Sequence, residues 1–274
     1  MEFWQAFEAP SPRSTAGARS AGAGPFPGGP AEAPPLSDGL ADVSFPSGSL
    51  AEAPSSPGDP ADGPLRDSLA APMPDGSSLR LPIRDYGSIA VGGFIANQAS
   101  FAVVRRLAGW MAEAVQPFAA EVVCGLPTLG HVFAPLVAEA LGHRNWVAAG
   151  YSRKRWYEEA LSVPVSSSTT PGERRIWLDP RTLHRLRDRR VLLVDDVVST
   201  GTSALAGLAL LRAAGVVPVG FAVAMAQGDR WVDGWPAGVP VAAAFRTPLL
   251  RPVEGGWRPD PTTLPAVAIP PDAP

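Results

Sequence analysis

The chain has 274 residues, 46% of them hydrophobic, and a formal net charge of −3, a length that allows one or two domains. The charge is unevenly spread, with ten acids against four arginines in residues 1–80, leaving 16 acids against 19 basic groups in residues 81–274. A mildly basic body suits a phosphate-bearing small molecule better than a nucleic-acid footprint, and the lone Cys124 excludes an intramolecular disulfide or a cysteine-cluster zinc site.

Residues 1–78 read as a disordered acidic segment rich in Pro, Gly, Ala and Ser, since 14 of the 32 prolines fall in residues 1–80. Such a stretch cannot bury enough apolar surface to offset its ordering entropy. Phe3, Trp4 and Phe7 are its only anchors for a partner, and Met73 is an alternative start close to the folded region. The opening MEFWQAFEAPSPRS lacks the cationic and apolar regions of a secretory signal. No window reaches the roughly 18 apolar residues of a membrane span, so a cytoplasmic protein is expected.

Residues 79–258 are expected to form one domain, and the Pro-rich residues 259–274 a disordered tail. In chain order, residues 97–115 place Phe101, Val104, Leu107, Ala108, Met111 and Val115 at helical spacing, with Asn97 as cap. A short strand at 121–125, a helix at 130–141 and a strand at 146–149 follow. Residues 157–178 read as a long polar loop or hairpin. Val191–Val194 is a strand, 202–214 a helix, 217–224 a strand, and 239–244 the last strand. Alternation of strands and helices predicts an α/β fold, an open and mostly parallel sheet with helices on both faces. His131, His143 and His184 show no metal-ligand spacing.

The chemistry concentrates in VLLVDDVVSTGTS, residues 191–203. In an open α/β sheet, ligands bind beyond the carboxyl ends of the strands, which is where Asp195 and Asp196 fall. Gly201 permits a close turn into a helix beginning near Thr202. The free N–H groups of that helix, with the hydroxyls of Ser199, Thr200, Thr202 and Ser203, suit a phosphate dianion. Adjacent strand residues point to opposite sides, so the two acids are not expected to share a proton. Carboxylates beside a phosphate need something between them, either ribose hydroxyls or hydrated Mg²⁺. No Walker A pattern is present.

This string resembles the 5-phosphoribosyl-1-pyrophosphate (PRPP) motif of type I phosphoribosyltransferases, and the resemblance extends over most of residues 80–225. It implies a transferase, a glycosyltransferase of nucleotide salvage that uses PRPP, a nucleobase and Mg²⁺. It implies no nucleic-acid or membrane partner, and a homodimer. CGLPTLGH (124–131) stands where that family carries its pyrophosphate loop, which assigns Gly125, Pro127, Thr128, Leu129 and Gly130 to the leaving group. YSRKRW (151–156) then assigns Arg153 and Lys154 to it as basic residues. The stretch from Val163 to Arg175 corresponds to a flexible lid, with Ser166, Ser167, Ser168, Thr169, Thr170, Glu173 and Arg174 as its candidates. Residues 83–101 look similar to the small N-terminal hood of adenine phosphoribosyltransferases, with Arg84 and Asp85 as counterparts of an Arg–Asp pair over the base. Trp231 and Trp235 in GDRWVDGW could stack on a base or pack a dimer, although a core role suits them better. The implied activity is phosphoribosyl transfer to a purine, adenine first. The alternatives are a PRPP-sensing protein without chemistry, or the same chemistry on orotate or another base.

Overall fold

The computed structural model describes residues 3–9, 63–165 and 174–270. Strands β1 (Ser68–Pro72), β2 (Ser78–Asp85) and β3 (Ala90–Gly92) lead into helix α1 (Phe101–Val115). Then come β4 (Val122–Gly125), α2 (Gly130–Ala140), β5 (Val147–Ala148), β6 (Ser162–Val165), β7 (Arg174–Trp177) and the single-turn α3 (Leu183–Leu186). The chain continues with β8 (Val191–Val198), α4 (Thr202–Ala213), β9 (Gly220–Gln227), β10 (Val241–Thr247), β11 (Leu249–Val253) and β12 (Gly256–Asp260).

The central sheet has the order β10-β9-β8-β4-β5, every pair parallel. Its strands are apolar, because both faces are covered, except toward their carboxyl ends at Asp195 and Asp196 of β8, Gln227 of β9 and Arg246 and Thr247 of β10. Leu192 and Val194 of β8, with Ala222 and Ala224 of β9, face α1 and α2 in one core. Val191 and Leu193, with Phe221 and Val223, face α4 in a second core. The period-2 pleat thus divides one apolar run between two cores. Each buried Leu, Val or Phe contributes about 1.5–3 kcal/mol to these layers. Among the described residues no helix is long and apolar enough to cross a membrane.

A second sheet, β1-β2-β3-β11-β12, is antiparallel and was not expected from the sequence. It moves the start of the folded region ahead of residue 79, since β1 and the buried Met73 both precede it. A start at Met73 would delete β1, the partner of β2 along its length. The anchors Phe3, Trp4 and Phe7 belong to an arm that packs on the domain itself. Trp4 Nε1 donates to the Gly93 carbonyl at 3.1 Å, and Phe7 meets Trp110 edge-on at 5.4 Å. Glu8 exchanges two backbone hydrogen bonds with Ser78 and pairs with Arg80 at 2.7 Å. The C-terminal segment also differs from a free tail. Ala268 pairs with β10, accepting from Ala243 N at 2.8 Å and donating to the Val241 carbonyl at 3.0 Å.

Two local details of α1 differ from expectation. Its cap is Ser100, whose side chain accepts from Val103 N, and not Asn97. Phe101, placed by periodicity on the buried stripe, is 80% exposed. The buried face begins at Val103 and Val104, and Phe101, the first residue of the helix, lies ahead of it. The polar stretch 157–178 resolves into the β6–β7 hairpin at its ends. The lid candidates Ser166, Ser167, Ser168, Thr169, Thr170 and Glu173 lie outside the described residues.

Candidate functional site

The carboxyl edge of the parallel sheet brings three turns together, after β4, after β5 and after β8. Between β8 and α4, Gly201 adopts φ 81°, a left-handed conformation that glycine holds without steric cost. A Cβ there would also stand 3.1 Å from Trp231 Cβ. Gly201 caps α4 with no side chain, so the N–H groups of the first turn are left for an external acceptor. A cavity of about 220 Å³ opens over this turn, lined by residues 197–204. Thr200, Thr202 and Ser203 are exposed there, and the Thr200 and Thr202 hydroxyls share a 3.2 Å hydrogen bond.

Ser199 has a different geometry from the other hydroxyls. Its Oγ donates to Gln227 Oε1 at 2.9 Å and accepts from the Arg230 guanidinium at 2.6 Å. A hydroxyl has one proton, so Ser199, expected to donate to a phosphate, has that proton directed into the protein. Gln227 and Arg230 were both missed by the sequence reading. The signal was present: Gln227 closes the apolar strand GFAVAMAQ, and Arg230 lies in GDRWVDGW.

Asp195 is 5% exposed and Asp196 partly buried. Burial raises both carboxyls above the ordinary carboxylate range, and for Asp195 the neighbouring Asp196 charge adds to it. The two carboxyls act on one another, the Asp196 side chain raising Asp195 and the Asp195 side chain lowering Asp196. Asp195 also accepts from the Asp196 N–H at 2.9 Å, and the Gly130 N–H favours its charged form. β8 runs on to Val198, so the two acids lie within the strand and not at its end.

The turn from β4 into α2 lies alongside. Leu126 N donates to the Val194 carbonyl at 2.8 Å, which ties this turn to β8. Gly130 has no room for a side chain: a Cβ would lie 2.8 Å from Asp195 Oδ1 and 2.9 Å from the Val194 carbonyl oxygen. Gly125 and Pro127 are buried, Leu129 is half-buried, and Thr128 is exposed with its hydroxyl available. The Pro127–Thr128 peptide is cis. His131 packs on Trp146 at 5.3 Å, and burial lowers its pKa, so the imidazole is neutral at pH 7. Cys124 is buried within β4 and its thiol is pushed up to about 12, which makes it a core side chain and not a nucleophile.

The basic residues after β5 are placed differently from expectation. Arg153 lies over the Trp177 ring at 5.0 Å and pairs with Glu159 at 3.5 Å, at the base of the β6–β7 hairpin. Lys154 is exposed. Arg174, at the start of β7, stacks on Tyr151 at 3.6 Å. Burial raises the Tyr151 phenol, Arg174 lowers it, and the charges of Asp195 and Asp196 raise it. Arg84 and Asp85 do not pair with each other. Asp85 accepts from Gly87 N at 2.6 Å in the β2–β3 turn, and the Arg84 side chain runs across Gly93. Trp231 and Trp235 pack edge-on at 5.3 Å inside the core around α4, as their preferred reading had it.

Among the described residues no group of three or more His, Cys, Asp and Glu side chains is placed to hold a metal ion. The paired carboxyls fit the more modest need of hydrated Mg²⁺, which keeps several waters and is held by one or two carboxylates with substrate phosphates.

Residues 93–234 match the family described as the phosphoribosyl transferase domain. Over 107 residues the chain is 32% identical to the adenine phosphoribosyltransferase of Erythrobacter litoralis, covering 38% of this chain and 56% of that protein. The match thus spans little more than half the length of the curated relative. Solved structures with a similar fold include adenine phosphoribosyltransferase from Thermoanaerobacter pseudethanolicus, 18% identical, covering 53% of this chain and 81% of that one, with a TM-score of 0.44. The enzyme of the same name from Rhodothermus marinus is 22% identical, with 58% and 94% covered and a TM-score of 0.43.

Proposed function

The chain belongs to the phosphoribosyl transferase domain family, and from that premise we propose that it joins a nucleobase to C1 of PRPP with release of pyrophosphate. The observation that carries this reading is the second half of β8, where the buried Asp195 and part-buried Asp196 are followed by a left-handed glycine and an uncapped helix. In this reading the 5-phosphate lies on the first turn of α4, where unpaired N–H groups and the helix dipole favour an anion. The Asp195 and Asp196 carboxylates accept from the ribose hydroxyls, because an ionised carboxylate only accepts. Negative charge held beneath the sugar stabilises the oxocarbenium character that grows on its ring as pyrophosphate departs.

The leaving group is assigned to the turn from β4 into α2, with the Thr128 hydroxyl and backbone amides as donors. Arg174 supplies positive charge from the lid side, the role the sequence reading gave to Arg153 and Lys154. Mg²⁺, held by the acid pair through water and by the substrate itself, would neutralise charge on the departing pyrophosphate. The free protein supports this, because burial leaves the two carboxyls short of compensating charge. A purine, with adenine first, is the base favoured by the names of the similar proteins.

The test uses the full-length chain, since β1 and the arm at residues 3–9 are part of the fold. Pyrophosphate release is followed with PRPP, Mg²⁺ and, separately, adenine, hypoxanthine, guanine, xanthine, orotate and uracil. The expected result is purine-dependent release, abolished by chelation and reduced about 10²–10³-fold in the Asp195→Asn, Asp196→Asn double variant. Release with orotate alone would keep the chemistry and change the base. PRPP binding without release for any base would overturn the transferase reading in favour of a sensor.

A further inference from the structure

We infer that Arg230 is a direct ligand of the substrate's phosphate, set in place by a relay that runs from the Gly92 carbonyl through Gln227 and Ser199. The inference rests on the phosphate assignment above and extends it to a residue beyond the loop. It begins with Gln227, the one polar side chain of β9, which is 5% exposed. A buried primary amide is costly unless it is hydrogen-bonded on both sides. Here Nε2 donates to the Gly92 carbonyl at 2.7 Å and Oε1 accepts from Ser199 Oγ at 2.9 Å. The carbonyl accepts only, so the amide cannot be reversed, and its oxygen is aimed at the loop.

That orientation determines what Ser199 can offer. With its proton on Gln227, Ser199 presents lone pairs to the outside, and the Arg230 guanidinium donates to them at 2.6 Å. A phosphate oxygen arriving at Ser199 therefore finds no donor in the hydroxyl and finds one in the arginine beside it. Arg230 is exposed and makes none of the ion pairs found among the described residues. A guanidinium carries five N–H donors in a rigid fork that suits phosphate, and the bond to Ser199 uses one.

The charge balance of the site favours such a group. The rest of the loop offers only neutral donors, the hydroxyls of Thr200, Thr202 and Ser203 and the backbone of α4, while Asp195 and Asp196 bring negative charge nearby. A phosphate dianion there has no other cation among residues 197–204. Arg230 supplies the cation, and its bond to Ser199 holds the guanidinium in place before the ligand arrives, which lowers the ordering cost of binding.

Calorimetric titration of full-length protein with PRPP and MgCl₂, at low and moderate KCl, tests the assignment. Arg230→Gln is expected to weaken PRPP binding about 10- to 100-fold and to flatten its salt dependence. Arg230→Lys recovers part of the affinity, and inorganic phosphate competes less well against PRPP in the Gln variant. The effect falls on KM, with kcat at saturating substrate within about threefold of wild type, because the phosphate lies away from the reacting carbon. Gln227→Met, of similar volume, removes the anchor that holds Ser199 and, through it, the Arg230 guanidinium, and moves affinity in the same direction. If Arg230→Gln binds PRPP within about twofold of wild type with the same salt slope, Arg230 is a surface neighbour of Ser199 and the inference is wrong while the transferase reading stands. If the wild-type chain binds no PRPP, the transferase reading fails and takes this assignment with it.

Discussion

The turn from β4 into α2 and the turn from β8 into α4 sit on neighbouring parallel strands, and both place a helix start at the carboxyl edge. Neither helix start has a side-chain cap, but at the first the Asp195 carboxyl already stands against Gly130, whose N–H favours its charged form and where no side chain would fit. The second is open, its helix beginning behind Gly201 with no side-chain cap and with three exposed hydroxyl residues around it. Both helix starts carry the same partial positive charge. What separates them is whether the fold has already supplied an anion. On the proposed reading the permanent phosphate ester takes the open turn, and the leaving group, arriving with its own cation, takes the closed one.

Breaking the open turn should have the largest effect. Gly201→Val forces a β-branched residue into a left-handed conformation that costs an ordinary side chain about 1–2 kcal/mol, with a Cβ only 3.1 Å from Trp231 Cβ. The turn re-forms elsewhere and its N–H groups no longer converge. The expected result is a loss of PRPP affinity of about 100-fold or more, since a displacement of 1 Å in a positioned group can cost that much. Melting temperature falls in the same variant. Retained affinity would mean that the phosphate does not lie on α4.

The closed turn is tested through Asp195, where function and stability should move in opposite directions. Its carboxyl is raised from 3.8 by burial, so the folded state holds the proton more tightly than the unfolded state. Stability contributed by this group is therefore greatest at low pH, and declines as pH rises from about 3.8 toward the raised folded value. Asp195→Asn keeps an oxygen acceptor for the Asp196 N–H and removes the buried charge. Melting temperature at pH 7–8 should rise, by about 2–4 °C for each kcal/mol gained in a chain of this size. The gain should shrink as pH approaches 4, while turnover drops about 10- to 100-fold. A variant less stable than wild type at every pH would show that the Asp195 charge is compensated in the free protein.

How much of this was legible in the sequence depended on the distance over which each feature is encoded. β4, β8, β9 and β10 are apolar runs, and α2 and α4 repeat at 3.6 residues, so local pattern located them within a few positions. The second sheet escaped because its strands are interrupted by Pro72, Pro82, Pro252 and Pro259 and because β3 pairs with β11. Proline suppresses the local strand signal, and a pairing of that separation leaves no short-range trace. The same holds within the site. VLLVDDVVSTGTS declared the acid pair and the phosphate turn in one string, whereas the Ser199–Gln227 bond exists only because β8 and β9 are adjacent in the sheet. Arg153 and Lys154 were assigned by their place in the chain. The aromatic and acidic partners that hold Arg153 at the hairpin, Trp177 and Glu159, could be identified only in the folded structure.

The smallest effect should come from a single hydroxyl of the open turn, and the reason is proton accounting. Thr200 Oγ1 and Thr202 Oγ1 lie 3.2 Å apart, one donating to the other. Two hydroxyls bring two protons, so the internal bond leaves one for an anion. Thr202→Ala removes a proton and the internal bond together, and the Thr200 proton becomes free, so the number of donors facing the phosphate stays at one. PRPP affinity should fall by no more than about two- to threefold, while Thr200→Ala, Thr202→Ala together should lose about tenfold, the value of one hydrogen bond to a charged group at the low end. Calorimetry on the two variants separates hydroxyl from backbone recognition. If the single variant loses as much as the double, the Thr202 hydroxyl itself holds the phosphate, and the backbone of α4 contributes less than its open N–H groups imply.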